Sequence, residues 1–497
     1  MTLVLGIDLG TTYSAVAAVD AGGGPVVLPN RMGEPTTPSV VAFTSATEAV
    51  VGRAAADALP HDPDNVVALV KRQMGTEFGM RFHGVAHTPE SVSAIILRAL
   101  VADAHAHLGT SGPVRAVITV PAYFGIRERE ATYQAARLAG IEVLELLSEP
   151  VAAALHYGRG GAVLVYDLGG GTFDTTVLRI DPAGACVIAT DGDPRLGGAD
   201  WDERLTDHLV ESFVRVAGEP EHEDEFVART AAAAEDVKRA MSTRLHHRTT
   251  LRDGTTAVTV DLDRDTLRTL GADLVERTLE ITRRCLRAAT ERGVPHLDEI
   301  ILVGGATRMP AIAEAVSAAF GRTPRLVDPD LAVVLGAARR AHQLAGAGTG
   351  TARSVVPRSF GVLISDSHDP DGGRVVEHLV HRNDPLPARS TVRLGTILEG
   401  QRTARVEIYE QAGDIPSTRV EDNRRVLDGV LTGLPNTPAG TPIEVTLDVS
   451  ADGLLSVTAR EPSTGVELSL RAYVDGVVDS AASARLTETV AGLTIGQ

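Results

Sequence analysis

Two similar glycine- and threonine-rich segments, each preceded by an aspartate, suggest chemistry by their residue types and spacing. Asp8 precedes residues 10–12, and Asp167 precedes residues 169–172. Glycine lets the backbone approach a polyanion and turn its N–H groups towards it. An aspartate can hold a hydrated divalent cation, and a threonine hydroxyl can bond phosphate. One such loop is a weak signal, but two in the same strand–turn context predict a nucleotide held between two related lobes.

The lysines are a second signal. Of 47 Lys and Arg residues only two are lysines, Lys71 and Lys238. An arginine-biased chain that keeps a lysine can need a compact ammonium group at that position. The alternative is that both lysines survive by chance on a solvated surface, and composition alone does not decide between the two.

Composition limits the class of protein. A length of 497 residues predicts two to four domains, and an apolar share of 43% is enough for substantial cores. A net charge of −18 argues against a nucleic-acid partner. We expect no membrane-spanning segment and no signal peptide. Cys186 and Cys285 show no metal-ligand spacing and suit a reducing, cytoplasmic location.

The elements that must position these residues alternate between strands and helices over residues 1–345, which favours layered α/β lobes. Strands are predicted at 114–120, 162–167, 175–180, 186–191 and 299–303. Helices are predicted at 126–138, 200–216, 223–241 and 263–292, the last with a possible break at Gly271, and another helix ends at Phe320.

The pattern changes in the last third of the chain. Residues 346–356 have the composition of a flexible linker. Residues 357–476 have the two-residue periodicity of an all-β module, with strands predicted at 391–398, 404–409, 443–449 and 454–459. Residues 477–497 are a short tail with room for no more than one helix.

These motifs, taken together, resemble the seventy-kilodalton heat-shock chaperones of the DnaK type over nearly the whole chain. The resemblance is carried by residues 6–14, 120–124, 148–150, 166–174, 192–198, 235–239, 303–310 and 328–330. It implies an actin-like two-lobed ATPase domain over residues 1–345, followed by a β-sandwich that binds extended peptides. It also implies a stress-response role in protein folding.

The resemblance implies ATP or ADP, Mg²⁺ and K⁺ as cofactors. It assigns the carboxylates around Mg²⁺, its waters and the K⁺ sites to Asp8, Asp167 and Asp174. The implied catalytic residues are Lys71, Glu149, Asp167 and Thr172. The implied nucleotide-binding residues are Gly10, Thr11, Thr12, Tyr13, Gly169, Gly170, Gly171, Gly197, Gly198, Glu235, Lys238, Arg239, Ser242, Gly304, Gly305, Arg308 and Asp330.

The remaining implied residues concern communication and peptide binding. Pro121 and Arg129 match the pair that relays nucleotide state between lobes. The implied peptide pocket is lined by Val362, Ile364, Val406 and Ile408, although alternating apolar residues are equally typical of ordinary sandwich core. Two site residues have plain alternatives as well. Glu149 could be a carboxylate at a helix start, and Arg308 a surface arginine.

The sequence departs from the family in four places. The interval from Lys71 to Pro121 is short, as though a hairpin were trimmed. The linker lacks the leucine-rich stretch and its aspartate, which puts ATP-controlled peptide release in doubt. Glu145 stands where DnaK types carry an arginine for the J-domain, and this charge reversal should repel that partner. We also expect no helical lid after the β module.

The leading interpretation is a monomeric ATP-hydrolysing chaperone that binds unfolded or extended polypeptide segments. A J-domain co-chaperone and a GrpE-type exchange factor are possible partners, with J-domain docking in doubt, and no nucleic acid or membrane is expected. A second hypothesis is a nucleotide-dependent module dedicated to one partner. A third hypothesis is a sugar kinase or filament-forming relative. The β module and residues 235–242 argue against it.

Overall fold

The structure, a computed structural model, describes residues 2–181, 184–347, 351–365, 373–413, 416–471 and 480–496. They form two compact units. Unit 1 comprises Met1–Ala122, Thr132–Thr351 and Ala482–Gln497, and unit 2 comprises Tyr123–Ala131 and Ala352–Ala481. This division differs from the predicted domains in two places. The C-terminal segment belongs to unit 1, and residues 123–131 belong to unit 2.

The first lobe of unit 1, residues 3–157, is built on a mixed sheet and contains four helices, of which α3 also contributes residues to unit 2. Its strands are β1 Leu3–Asp8, β2 Tyr13–Val19, β3 Pro25–Val27, β4 Thr37–Pro38, β5 Val41–Ser45, β6 Glu48–Val51, β7 Val66–Val67, β8 Met80–Phe82, β9 Val85–His87, β10 Val114–Val120 and β11 Ile141–Ser148. Its helices are α1 Arg53–Ala58, α2 Pro89–Leu108, α3 Ile126–Leu138 and α4 Glu149–Tyr157.

The second lobe, residues 161–326, repeats this plan and is followed by a helix and a short strand. Its strands are β12 Gly161–Leu168, β13 Phe173–Asp181, β14 Gly184–Asp193, β15 His246–Asp253, β16 Thr256–Asp263, β17 Glu299–Val303 and β18 Arg325–Leu326. The helices are α5 Gly198–Ala217, α6 Glu223–Met241, α7 Arg264–Leu270, α8 Ala272–Glu291, α9 Pro310–Phe320 and, beyond the lobe, α10 Ala332–His342. Strand β19, Thr351–Arg353, lies within the predicted linker.

The two lobes have the same strand order. In the first lobe the order is β11-β10-β1-β2-β3, and in the second it is β18-β17-β12-β13-β14. In each, the strand that carries the aspartate at or next to its end pairs antiparallel with the next strand and parallel with a later one. This repeat supports the sequence-based prediction of two related lobes, because each aspartate stands at the same position of its own sheet.

The predicted break at Gly271 separates helices α7 and α8. The sequence pattern ran from 263 to 292 as one stretch, whereas the structure has α7 and α8 separated at Gly271. A side chain at Gly271 would place its Cβ 2.1 Å from Nε1 of the buried Trp201. The break therefore occurs where only glycine allows the close approach of the indole ring.

Helix α2 has the length and apolarity of a membrane-spanning helix, contrary to the expectation that no segment would have them. Of that apolar window, 61% is buried inside the protein. Its first turn is fixed by a capping box between Thr88 and Ser91, and its polar Glu90 and Asp103 are buried. These are features of a core helix packed within a folded unit.

Unit 2 is built around a β-sandwich. Its strands are β20 Phe360–Ser365, β21 Arg374–Val380, β22 Ala388–Gly395, β23 Thr403–Gln411, β24 Asn423–Thr432, β25 Pro442–Val449, β26 Leu455–Arg460 and β27 Glu467–Arg471. They form two four-stranded sheets of order β21-β20-β23-β24 and β22-β25-β26-β27. Phe360 and Ile408 of one sheet share a core with Val445 and Leu447 of the other. In β25 and β26, buried core positions alternate with more exposed ones.

The C-terminal segment returns to unit 1. Helix α11, Ser480–Gly492, is followed by strand β28, Thr494–Gly496. Strand β28 joins a sheet of the first lobe with order β28-β6-β5-β7. The single helix that the sequence allowed is present, but the strand and its pairing were not predicted.

Candidate functional site

The two glycine-rich loops meet inside unit 1. A Cβ built on Gly170 would lie 1.8 Å from Oγ1 of Thr12, and one on Gly171 would lie 2.3 Å from Cγ2 of Thr11. These separations are far below any real carbon contact, so only glycine fits at either position. The loop after β12 therefore faces the loop after β1, which brings the predicted phosphate-binding residues of both lobes to one place.

The first loop presents backbone and hydroxyl groups that suit an anion. A side chain at Gly10 would collide with the carbonyl oxygen of Tyr13, 1.9 Å away. Ser39 stabilises the loop, because its hydroxyl donates to the Gly10 carbonyl at 2.8 Å. The Thr12 hydroxyl is buried and has no hydrogen-bond partner among the described residues. A phosphate oxygen at this position would give that hydroxyl the partner that burial otherwise denies it.

The second loop is closed on itself and packed against the start of helix α5. The Gly169 N–H donates to the Thr172 carbonyl at 3.0 Å, and the Gly198 N–H donates to the Gly169 carbonyl at 2.9 Å. A Cβ on Gly197 would lie 2.6 Å from the backbone of Gly171. Helix α5 begins at Gly198, so its N-terminal end lies beside the loop. Helix N-termini favour anions, which suits a phosphate group here.

Lys71 and Glu149 form a buried ion pair in unit 1. Lys71 Nζ donates to Glu149 Oε1 at 2.6 Å, and the side chains are 5% and 10% exposed. Lys71 lies in a short 3₁₀ turn, Val70–Gln73, entered through Leu69 with a φ of 55°. Glu149 is the first residue of α4. Glu149 is therefore at a helix start, as the plain alternative expected, and also faces the retained lysine.

Asp167 is buried and Asp8 partly buried beside Glu149, and the pKa of each is raised. Burial, with repulsion from Glu149, raises the pKa of Asp8 to about 6. Burial, with repulsion from Glu149 and Asp8, raises the pKa of Asp167 well above its usual range. Lys71 acts in the opposite direction on both carboxyls. Carboxylates that repel one another in this way are a favourable environment for a cation.

No group of three or more Asp, Glu, His or Cys side chains among the described residues could enclose a metal directly. Mg²⁺ commonly keeps several of its waters and uses only one or two carboxylates. Asp8 and Asp167 fit that second mode of binding. Asp174 has a different contact, because its Oδ2 accepts the backbone N–H of Ala122 at 3.1 Å. Its predicted part in cation binding stays a prediction.

Tyr13, Glu235 and Arg239 contact one another between the lobes. The Tyr13 hydroxyl donates to Glu235 Oε1 at 3.4 Å and accepts from Arg239 Nη1 at 3.0 Å. The Arg239 guanidinium lies 5.3 Å from the centre of the Tyr13 ring. Tyr13 belongs to β2 and the other two residues to α6, so one contact joins the strand after the first loop to the implied nucleotide-binding residues of α6.

Lys238 points towards the second loop. Its ammonium group donates to the Gly198 carbonyl at 2.8 Å and to a carboxylate oxygen of Asp202. Burial raises the pKa of Asp202 to about 6, against the opposing effect of Lys238. Ser242 caps the same helix through a 3.3 Å bond to the Lys238 carbonyl. Both lysines of the chain therefore make buried or half-buried polar contacts in the site region, and neither lies on a solvated face.

The turn after β17 completes the region. Gly304 has a φ of 85°, and a Cβ there would lie 2.6 Å from Oδ1 of Asp167. A Cβ on Gly305 would lie 3.2 Å from Oδ1 of Asp330. Arg308 donates from Nε to Asp330 Oδ2 at 3.2 Å. Arg308 is about half exposed, so its planar guanidinium is available to a flat ring while Asp330 fixes its position.

Sequence reasoning missed Arg72, which links the two lobes at the loops. Its Nε donates to the Gly171 carbonyl at 2.9 Å, and its Nη2 lies 2.8 Å from Oδ2 of Asp200. Asp200 in turn accepts the Gly197 N–H at 2.7 Å. An arginine directly after the retained lysine was a visible signal, but the arginine-rich composition made it inconspicuous.

The predicted relay residues belong to different units. Pro121 is buried at the end of β10 in unit 1. Arg129 lies in unit 2, is 2% exposed, and donates to the Asp452 carbonyl at 3.1 Å and to the Phe124 carbonyl at 3.0 Å. A Cβ built on Gly453 would lie 3.1 Å from the Arg129 side chain. Their role as a relay stays a prediction.

The predicted peptide pocket lies in the sandwich core. Val362, Val406 and Ile408 are at most 3% exposed and belong to the core cluster, and Ile364 is partly buried against it. Their environment is therefore that of ordinary sandwich core, which was the alternative to a peptide pocket. The exposed apolar residues of unit 2 include Ile397 and Leu398, at 70% and 64% exposure. They were predicted inside a strand, but β22 ends at Gly395 and they form a loop beyond it.

Comparison with known protein families gives one match over nearly the whole chain. Residues 4–82 and 79–491 match the family described as "Hsp70 protein". The two matched segments overlap at residues 79–82, inside the interval from Lys71 to Pro121 that sequence analysis found short. The match covers both lobes, the β-sandwich and most of helix α11.

Proposed function

The chain belongs to the Hsp70 family of ATP-dependent chaperones, and we propose that it binds and hydrolyses ATP in unit 1 and binds extended polypeptide segments through unit 2. Unit 1 would have the actin-like arrangement that its duplicated lobes suggest. The observation that carries the proposal is the meeting of Gly170 and Gly171 with Thr11 and Thr12. Beside them lies the buried pair of Lys71 and Glu149.

The phosphate chain of ATP would lie between the two loops. Backbone N–H groups, the unpartnered Thr12 hydroxyl and the start of α5 would bind its oxygens. Mg²⁺, when bound, supplies positive charge beside those oxygens. Asp8 and Asp167 would hold its waters, and its charge would favour the ionised form of both carboxyls. K⁺ near Asp8 and Asp174 is a further part of the proposal.

Hydrolysis of a terminal phosphate depends mainly on positioning and charge neutralisation. Lys71 would donate to the terminal phosphate as negative charge shifts there, and Glu149 would accept from the attacking water. Their 2.6 Å contact gives each buried group a partner of opposite charge. Thr172 would assist from the second loop. Tyr13, Glu235, Lys238 and Arg239 would bind the nucleoside, with Arg308 against the base.

Peptide binding would occur at the sandwich. Extended segments bind sheet edges by backbone pairing, with side chains entering nearby pockets. Val362, Val406 and Ile408 would have to part for a side chain to enter, because all three are buried. Ile397 and Leu398 offer apolar contact on the neighbouring loop without any rearrangement. This supports weak, short-lived binding of many apolar segments.

The second candidate is a nucleotide-dependent module dedicated to one partner. The burial of Val406 in the sandwich core favours this candidate, because the implied peptide pocket is closed. The half-buried ion pair of Glu145 with Arg340 also favours it, because Glu145 replaces the arginine that DnaK types carry for the J-domain. J-domain and exchange-factor partners, a monomeric state and a cytoplasmic location remain part of the proposal under either candidate.

A steady-state ATPase assay with and without a broad panel of apolar heptapeptides tests the proposal. We expect slow, Mg²⁺-dependent hydrolysis that several unrelated peptides stimulate. Stimulation by none of them, with hydrolysis intact, would favour the single-partner module. Absence of both ATP binding and hydrolysis would refute the proposal for unit 1.

A further inference from the structure

The C-terminal strand β28 extends a sheet of the first lobe. It pairs in parallel with β6, with Thr494 opposite Glu48, Ile495 opposite Ala49 and Gly496 opposite Val50. The Thr494 N–H donates to the Thr47 carbonyl at 3.0 Å. Strand β6 would otherwise be the open edge of this sheet, and open edges are sites of strand addition.

Apolar side chains and an arginine hold the segment in place. Val490 is fully buried, Leu493 is 4% exposed and Leu486 is 9% exposed. The guanidinium of Arg98, on helix α2, donates to the Val490 carbonyl near the end of α11. An arginine bonded to the last carbonyls of a helix satisfies groups that the helix itself cannot. The segment is therefore docked by burial, by a helix cap and by strand pairing together.

The opposite edge of the same sheet leads directly to the site. The sheet order is β28-β6-β5-β7, and β7 pairs with β5 through Val66 and Val67. Lys71 follows β7 after the left-handed turn at Leu69. The residues just before β5 also reach the site, because the Ser39 N–H donates to the Thr12 carbonyl at 2.8 Å. The sheet of order β28-β6-β5-β7 thus contains the C-terminal strand and leads from β7 to Lys71. Ser39, just before β5, bonds the first loop.

We propose that the C-terminal segment, residues 486–496, is a positioning element of the ATPase unit, which fixes the β5–β7 sheet and thereby the place of Lys71. The proposal rests on the proposed ATP hydrolysis. A four-stranded sheet with two-residue strand β7 at one edge has few bonds of its own, so loss of β28 would loosen it. The loosened sheet would misplace Lys71 without removing any group that contacts the nucleotide. Residues 352–481 are then an insertion whose two ends both join unit 1.

Two full-length variants test this. Thr494→Pro removes the N–H that bonds Thr47, and Leu493→Asp opposes burial of the docked segment. Glu488→Ala, at an exposed position of α11, is the matched control. We expect single-turnover hydrolysis at saturating ATP to fall about tenfold or more in both variants, because small misplacements of reacting groups carry costs of this size. ATP affinity and the control should change by less than about threefold.

Rescue in trans gives a second readout. A chain ending at residue 485 should regain most of the lost rate when a synthetic peptide of residues 486–497 is added, and a peptide carrying Leu493→Asp should not restore it. Rates equal to wild type in both full-length variants, or a truncated chain that neither loses activity nor binds the peptide, would overturn the proposal.

Hydrogen exchange separates this proposal from the proposed function. Amides of residues 66–74 should exchange about fivefold faster or more in Thr494→Pro than in wild type, because local opening of the sheet exposes them. This readout does not require hydrolysis. Faster exchange in a protein that hydrolyses no ATP would refute the proposed function but keep the docking role. Unchanged exchange would overturn the positioning role whatever the ATPase result.

Discussion

Glu145 of β11 and Arg340 of α10 form an ion pair, with 2.6 Å between Oε2 and Nε and side-chain exposures of 16% and 12%. The reversed charge that distinguishes position 145 is therefore neutralised inside unit 1. Glu145 can repel a J-domain less than a free carboxylate would. The pair also links the strand before Glu149 to the helix that packs on β2.

Glu145→Arg should destabilise the protein by about 2 kcal/mol, because it leaves two half-buried cations facing each other. Urea unfolding followed by circular dichroism measures this. The exchange Glu145→Arg with Arg340→Glu restores opposite charges and should recover most of the loss. If the single and double variants unfold at the same urea concentration, the pair does not contribute as the structure suggests.

The wild-type ATPase should respond weakly to a generic J-domain, and the charge-exchanged double variant should respond more strongly. The double variant presents an arginine at position 145 without an unpaired cation. The stimulated rate should fall as ionic strength rises, since a charge effect is screened by salt. Strong stimulation of the unmodified protein would contradict this prediction.

ATP should change the peptide affinity of the full chain by less than about 1.4 kcal/mol, or tenfold. The reason is that residues 351–356 contain no leucine-rich anchor. Fluorescence anisotropy of a labelled apolar heptapeptide, with ADP and then ATP, measures the difference. A shift well beyond tenfold would mean that another contact couples nucleotide to peptide.

His87 should make the first lobe sensitive to acid. It is 2% exposed beside the rings of Phe43 and Phe82, and burial lowers its pKa from 6.5 to about 4. The unfolded chain then binds more protons between these pH values, so stability is full above pH 6.5 and falls towards pH 4. The loss should reach about 3 kcal/mol at pH 4.

His87→Phe keeps an aromatic ring in the same place and should remove this part of the pH dependence. His107→Asn, at an exposed position, is the control and should keep it. The comparison requires urea unfolding of each protein at several pH values from 7 to 4. Parallel pH curves for wild type and His87→Phe would show that the histidine is not responsible.

The elements predicted for unit 1 are present with similar bounds because their signals are local, although α2, β15 and β16 were not predicted. Strand β10 and helix α3 have the predicted bounds, and Pro121 and Gly140 mark their ends as expected. Strand β22 was misplaced at its C-terminal end, since pairing with Pro442 stops it at Gly395. The return of β28 to β6 was not predictable, because pairing across so much chain leaves no periodic signal.

The site residues likewise divide into those that local signals predict and those that depend on long-range packing. Lys71 and the two loops could be predicted from residue type and resemblance, whereas the Arg72 link and the Glu145–Arg340 pair depend on packing between distant elements. Val406 and Ile408 lie in a strand as predicted and Val362 and Ile364 in one that was not predicted, but only the structure gives their burial. Periodicity alone cannot separate a core position from a pocket that opens.

The most direct test of the account is single-turnover hydrolysis at saturating ATP in Lys71→Ala, with Lys238→Ala as the control, since these are the only lysines of the chain. Lys71→Ala should slow hydrolysis by about 10²-fold or more and leave ATP binding nearly unchanged, because its charge acts mainly in the transition state. Lys238→Ala should instead weaken ATP binding and slow the saturated reaction by less than about threefold. A Lys71→Ala protein that hydrolyses bound ATP within about threefold of wild type would contradict the central claim.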